Sequence, residues 1–196
     1  MQIIRQSDFT AAPWKNGGGV THEAIRMPAK GDPFRWRVSV AHIDRSGPFS
    51  DFAAYRRIMV LLKGRGAALK FANGDERLLL NVGDLAEFDG ALAAQCELKS
   101  GPCVDLNLMV AKSLQGLDAR VKRLHVPLEL PAVQGRTTLI FPIDAPLLLH
   151  AGADDAAPPD PASLEPWDLA VISDSDGAAD VEPAAAALVF VATVPR

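Results

Sequence analysis

The chain has 196 residues, 48% of them hydrophobic, with a formal charge of −4 and a pI near 5.5. That length holds one large domain or two small ones around an ordinary apolar core. The acidic balance and the lack of a lysine/arginine run exclude phosphate-backbone binding by counterion release, so nucleic acid is not expected as a partner.

No run of about 18 apolar residues occurs, and Met1 to Asp8 lack a basic segment followed by an apolar one. A membrane is therefore not an expected partner, and a cytoplasmic location is the expectation. Cys96 and Cys103 are too few for a disulfide framework and read as reduced, structural thiols.

In chain order, the first notable stretch is Pro13-Trp14-Lys15-Asn16-Gly17-Gly18-Gly19-Val20-Thr21-His22-Glu23. Three glycines in a row fit a backbone that needs φ > 0 or a close approach by another group. Lys15 and Asn16 before them, with Thr21 and Glu23 after, suit a small polar ligand; a solvated tight turn is the alternative. From Phe34 to Ile43 the period is two: Phe34, Trp36, Val38, Val40 and His42 share one face, Arg37 and Ser39 the other. Arg45-Ser46-Gly47-Pro48 breaks that strand. Strands follow at Arg57–Leu62, Ala67–Phe71 and Arg77–Leu80, with turns at Asn73-Gly74-Asp75 and Val82-Gly83-Asp84.

Asp105–Val110 is a further strand, with Asp105 and Asn107 on the face of Met109. Ala111 to Val126 reads as a short helix or another strand. A second β set covers Thr137–Ile143, Leu147–His150, Leu169–Ser173 and Leu188–Val194. The stretches Ala151–Pro166 and Ser173–Ala187, rich in Ala, Asp, Pro and Gly, read as long surface loops. This spacing predicts an all-β sandwich or barrel architecture with helices confined to short connectors. A boundary falls between Lys112 and Lys122, and strands from the N-terminal segment complete the small second part.

Several motifs are absent. Lys15 precedes its glycines, so no phosphate-binding loop forms, and His22 stands where a dinucleotide fingerprint needs its third glycine. No G-x-S-x-G elbow occurs. The histidines His22, His42, His125 and His150 form no H-x-H or H-x-x-x-H pair, so neither metal nor other cofactor is expected. His22 and Glu23 lie on opposite faces of one strand, and His42 reads as a core or interface residue.

The turn-and-strand rhythm of Leu62–Leu69, Asn73-Gly74 and Val82–Phe88 resembles a cupin barrel, without the paired histidines of metal-binding cupins in the run Ser50–Arg57. Four blocks resemble the HutD/Ves family more closely: Pro13–Glu23, Phe34–Ala41, Gly47–Phe52 and Asp105–Met109. They cover the first 110 residues; the remainder adds a compatible β pattern. The resemblance implies an all-β bicupin, two antiparallel β-barrel or jelly-roll halves over residues 1–115 and 116–196. It also implies a link to histidine utilisation, where the family moderates expression or flux, with formylglutamate as ligand. At Phe52–Arg57 the chain departs from the family pattern, which Arg57 matches and Arg56 does not.

The leading expectation is a metal-free cavity that binds a small carboxylate through Lys15, Asn16, Thr21, Glu23, Arg37, Ser39, Arg57, Asp105 and Asn107. Arginine forks and a lysine suit carboxylates, while amides and hydroxyls fix orientation. The alternative is a metal-independent isomerase or hydrolase acting on a small carboxylate, with Glu23 or Asp105 as base and Lys15 or Arg37 stabilising an oxyanion. A third reading makes Arg37, Arg57 and Asp105 buried ion pairs that hold the barrel together. Exposed β edges and an acidic surface favour a homodimer.

Overall fold

Residues with alternating polarity pair into antiparallel ladders along most of the chain. The computed structural model describes residues 1–14, 17–31, 33–152 and 160–196. Two compact units result: Phe9–Leu114, and Met1–Asp8 together with Gln115–Arg196. β1 (Gln2–Ile4) opens the chain and belongs to the latter. The Phe9–Leu114 unit contains β2 (Thr10–Pro13), β3 (Gly19–Met27), β4 (Trp36–Ile43), β5 (Gly47–Pro48), β6 (Tyr55–Lys63), β7 (Ala67–Phe71), β8 (Glu76–Leu79), β9 (Leu85–Asp89), β10 (Ala94–Leu98) and β11 (Cys103–Ala111). These strands make a six-stranded sheet, β2-β3-β4-β11-β6-β9, and a four-stranded one, β5-β10-β7-β8.

The other unit contains β12 (Asp118–Leu124), β13 (Leu128–Leu130), β14 (Arg136–Pro142), β15 (Leu147–Gly152), β16 (Ala162–Leu164), β17 (Leu169–Ser173), β18 (Ala178–Pro183) and β19 (Ala187–Pro195). Its sheets run β1-β17-β14-β19-β12 and β13-β18-β15-β16. β1 enters by antiparallel pairing with β17, Ile3 opposite Ala170. Each unit is a barrel of two facing antiparallel sheets, as the all-β expectation required.

Residues 111–126, read as a short helix or another strand, hold a strand, β12, paired along its length with β19. The two supposed surface loops differ from the sequence reading. The supposed loop 173–187 contains a single 3-10 turn (Asp174–Asp176) and then β18, which pairs with both β13 and β15. Its period of two was masked by small residues: Ala179 and Val181 are buried while Asp180 and Glu182 point out. Likewise, residues 151–152 extend β15 and Ala162–Leu164 form β16 within the other supposed loop. The only other helical turn among the described residues is Gln6–Asp8.

Inside the Gln115–Arg196 barrel the space is taken by apolar side chains, including Leu130, Ile140, Leu149, Leu164, Val181 and Val189. The Phe9–Leu114 barrel is filled in part by Ile43, Met59, Leu61, Leu69, Phe71, Leu79 and Phe88. Cys96 and Cys103 belong to that packing, and burial pushes both thiols up to about 12, far from the reactive thiolate.

Glycines set two corners of this barrel. Gly17 takes φ 64°, and a Cβ on Gly19 would lie 2.2 Å from the His42 carbonyl oxygen. The Gly18 carbonyl accepts from the Asp44 and Arg45 amides, tying the triglycine corner to the end of β4. Gly90 has the same steric role at the β5–β6 loop, where a Cβ would meet the Phe52 carbonyl oxygen at 2.4 Å and that of Tyr55 at 2.8 Å. The Phe52 and Tyr55 backbones are bonded to Gly90 itself, so this contact cannot relax by a side-chain rotation. Gly90→Ala is expected to cost about 1–3 kcal/mol, as overpacking does. Gly47→Ala, with open space at the Cβ position, should be nearly neutral. Thermal melts of the two variants check this.

Candidate functional site

Pleating of β3, β4, β11 and β6 sends every second side chain into the Phe9–Leu114 barrel. The register aligns them in rows. Arg37, Met109, Arg57 and Phe88 are consecutive cross-strand partners in one row. The next holds Glu23, Ser39, Asn107 and Met59, and the one after it Thr21, Ala41, Asp105 and Leu61. These rows line a cavity of about 570 Å³, closed on its other sides by Trp14, Phe49, Ser50 and Phe52. Thr21, Glu23, Arg37, Ser39, Arg57, Asp105 and Asn107 all face it. Lys15 and Asn16 lie outside the described residues.

The polar floor is a relay. Arg57 Nη2 donates to Asn107 Oδ1 at 2.8 Å, and Asn107 Nδ2 donates to Asp105 Oδ2. Arg57 keeps 5% exposure and Asp105 none. Three phenyl rings, Phe49, Phe52 and Phe88, surround the guanidinium at 5.1, 5.5 and 5.1 Å, giving cation–π attraction where water is excluded. Burial lowers Arg57 to about 10, opposed by the Asp105 charge, so it remains cationic at neutral pH. Burial pushes the Asp105 carboxyl up to about 7, against the pull of Arg57 and the Asn107 hydrogen bond.

The second guanidinium is held differently. Arg37 lies 5.2 Å from the Phe34 ring and 5.3 Å from Phe52, so both guanidiniums lie against the Phe52 ring. Arg37 Nη1 is 3.8 Å from Glu23, whose other oxygen is 3.2 Å from Arg26 Nε. Residues 23 and 26 would face opposite ways on a regular strand. A bulge between Glu23 and Ile25 inserts one residue and turns Arg26 toward Arg37, its cross-strand partner. Arg26 was missed in the sequence because a bulge leaves no mark in a two-residue period.

The aromatic wall was also missed in role. Phe49 and Phe52 lie on an irregular loop, where no periodicity assigns a face; the Gly47–Phe52 block was the available signal. Arg56, by contrast, points away from the cavity and lies 4.0 Å from Glu87. His42 is half-buried rather than a core residue, its ring 5.2 Å from that of His22, and burial followed by the His22 charge lowers its pKa. Histidine does not line the cavity, and no group of three or more His, Cys, Asp or Glu converges among the described residues. With Glu23 against Arg26 and Arg37, and Asp105 bonded by Asn107, the guanidiniums dominate the wall, which disfavours a metal ion and suits an organic anion.

A barrel pair of this topology, with an arginine-lined cavity in one barrel, defines a bicupin. Solved structures of low identity share the fold: an oxalate decarboxylase formate complex from Lactobacillus farciminis (8% identity, TM-score 0.73, covering 100% of this chain and 86% of that one). At higher identity stand a conserved protein of unknown function from Pseudomonas aeruginosa PAO1 (28%, TM-score 0.85, 99% and 97% covered) and HutD from Pseudomonas fluorescens SBW25 in a formate condition (26%, TM-score 0.79, 100% and 98%). An uncharacterized 21.2 kDa protein in the hutC 3' region of Pseudomonas putida is 42% identical over 112 residues, 57% of this chain and 58% of that relative. The HutD family model matches residues 6–189, and the chain belongs to the HutD family.

Asp105 makes stability depend on pH in a defined direction. Its folded value of about 7 exceeds the ordinary 3.8, so the folded state holds the proton more tightly. The contribution is fully present below 3.8 and is lost as pH rises to about 7. Asp105→Asn cannot ionise, so its melting temperature relative to the parent should climb across that window. A constant difference between the two melting curves at every pH would place the titration elsewhere.

Proposed function

We propose that the Phe9–Leu114 barrel binds a small carboxylate of the formylglutamate type, without a metal, and that the protein thereby moderates histidine utilisation in the cytoplasm. One observation carries the reading: two guanidiniums, Arg37 and Arg57, converge with Asn107 and Ser39 on a cavity of about 570 Å³. That volume lies in the usual range for small-ligand sites, roughly 300–1,000 Å³. Glu23 carries one charge against those of Arg26 and Arg37, and Asp105 no more than one against that of Arg57, so net positive charge is left for an anion. Membership of the HutD family and a relative beside hutC support the pathway. Sequestering or sensing a metabolite would act on the pathway without contact with nucleic acid.

The second reading, a metal-independent isomerase or hydrolase, draws on Asp105, whose raised pKa near 7 suits a general base. Binding is favoured because Asp105 already bonds Asn107 and no hydrogen-bonded nucleophile–base pair lines the cavity among the described residues. Incubation of N-formylglutamate with the protein, followed by proton NMR, is expected to leave the formyl resonance unchanged; steady loss of it would establish turnover.

Calorimetric titration with N-formylglutamate tests the binding reading. Arg57→Ala should weaken binding by about 2–5 kcal/mol, as loss of one partner of a buried charge contact does. Arg37→Ala, at a more exposed position, should weaken it less. Variants that melt lower yet keep full affinity would show that the arginines only hold the barrel together.

A further inference from the structure

Arg26 reaches the guanidinium end of the cavity only because its strand breaks period. On a regular β3, Ile25 would share the inward face with Glu23 and Arg26 would face away. The bulge between Glu23 and Ile25 instead pairs Ile25 with Val38 and Arg26 with Arg37. Like charges placed opposite each other on paired strands repel, so the arrangement needs something to offset them. Two groups do so. The Phe34 ring lies 5.2 Å from each guanidinium, and the Glu23 carboxylate spans the pair. It does so unequally: Oε1 is 3.2 Å from Arg26 Nε, whereas Oε2 is 3.8 Å from Arg37 Nη1, beyond hydrogen-bond reach. Glu23 and Arg37 line the cavity, their side chains 30% and 15% exposed, and Arg26 does not line it.

We infer that Arg26 is a positioning residue for anion binding: it holds Glu23, an internal carboxylate that competes with the ligand for Arg37, and takes Glu23 over when a ligand carboxylate arrives. This rests on the carboxylate reading above and adds to it. Before binding, Glu23 partly neutralises Arg37 across the loose contact. A ligand carboxylate on Arg37 comes close to Glu23, and two carboxylates sharing one guanidinium repel. Arg26 removes the conflict, because Glu23 already lies nearer to it and needs only a side-chain rotation to leave Arg37. The charges then match two by two, ligand with Arg37 and Glu23 with Arg26. An ion pair that served only to hold the strands would be complete with Glu23 and Arg37, and would need no bulge to bring in a second cation.

A double-mutant cycle of Glu23→Gln and Arg26→Gln tests this, read by calorimetry with N-formyl-L-glutamate on the full chain at physiological ionic strength. Glu23→Gln removes the competitor and should tighten binding by about three- to tenfold, the scale of a partly exposed ion pair. Arg26→Gln should weaken binding by a similar factor, while Arg26→Lys, which keeps the cation, should retain most of the parent affinity. In the Glu23→Gln background, Arg26→Gln should shift affinity by less than about twofold, because Arg26 acts through Glu23. Persistence of its full effect in that background would make Arg26 a direct ligand contact and overturn the assignment. Weaker binding by Glu23→Gln would also overturn it, since Glu23 would then be recognising the ligand. Should Arg26→Gln fail to fold, the sign of the Glu23→Gln effect decides alone. If the parent itself does not bind the probe, the carboxylate reading falls and the exchange falls with it.

Discussion

Burying Arg57 is the constraint on which the hollow barrel depends. A guanidinium taken out of water loses several kcal/mol of hydration, and it persists only where charge and hydrogen bonds replace what water gave. Here the replacement is spread over three phenyl faces, one amide oxygen and the charge of Asp105. Because Asn107 gives its oxygen to Arg57, its NH2 must turn to Asp105. Asp105 receives that bond on one oxygen, and the other is buried without a hydrogen-bond partner among the described residues. The orientation of Asn107 and of Asp105 thus follows from one buried cation.

The same cation helps to keep the interior open. Apolar side chains such as Leu61, Leu69 and Phe88 close up against one another on one part of the barrel. Arg37 and Arg57 cannot do so, since like charges brought together in a medium of low polarity repel strongly. Both lie against Phe52, whose position depends on a glycine at 90 that lets the loop backbone come near. Collapse is opposed by charge, and the aromatic wall sets the distance.

How much of this is readable without coordinates depends on whether a residue lies in a regular strand. Arg37 and Ser39 on β4, and Asp105 and Asn107 on β11, alternate with fully apolar neighbours, so their common inward face follows from the two-residue period alone. Antiparallel pairing then adds Thr21 and Glu23, but only once the partner strands are known. Arg26 lies beyond a bulge that reverses the facing of the strand, and Phe49 and Phe52 lie on a loop that has no period. Pairing and bulges are decided by contacts far away in the chain, which explains why local pattern does not show them. β18 was obscured for a different reason: alanine and proline carry too little hydrophobic contrast to display an alternation that burial makes plain.

The two barrels of this chain show how little separates a packed interior from a hollow one. Both are built from two antiparallel sheets, and in both every second residue points inward. In the Gln115–Arg196 barrel those positions are filled by Ile140, Leu149, Leu164, Val181 and Val189, whose summed volume leaves the interior packed. In the Phe9–Leu114 barrel a few equivalent inward places on β4, β6 and β11 carry serine, arginine, aspartate and asparagine instead. Their backbone ladders continue through these positions, with one irregularity between Val104 and Asp105 on the β6 side, because strand pairing is made by main-chain groups that do not depend on the side chain. Stability can therefore rest on ladders and apolar clusters while the side chains of the cavity face are free to vary.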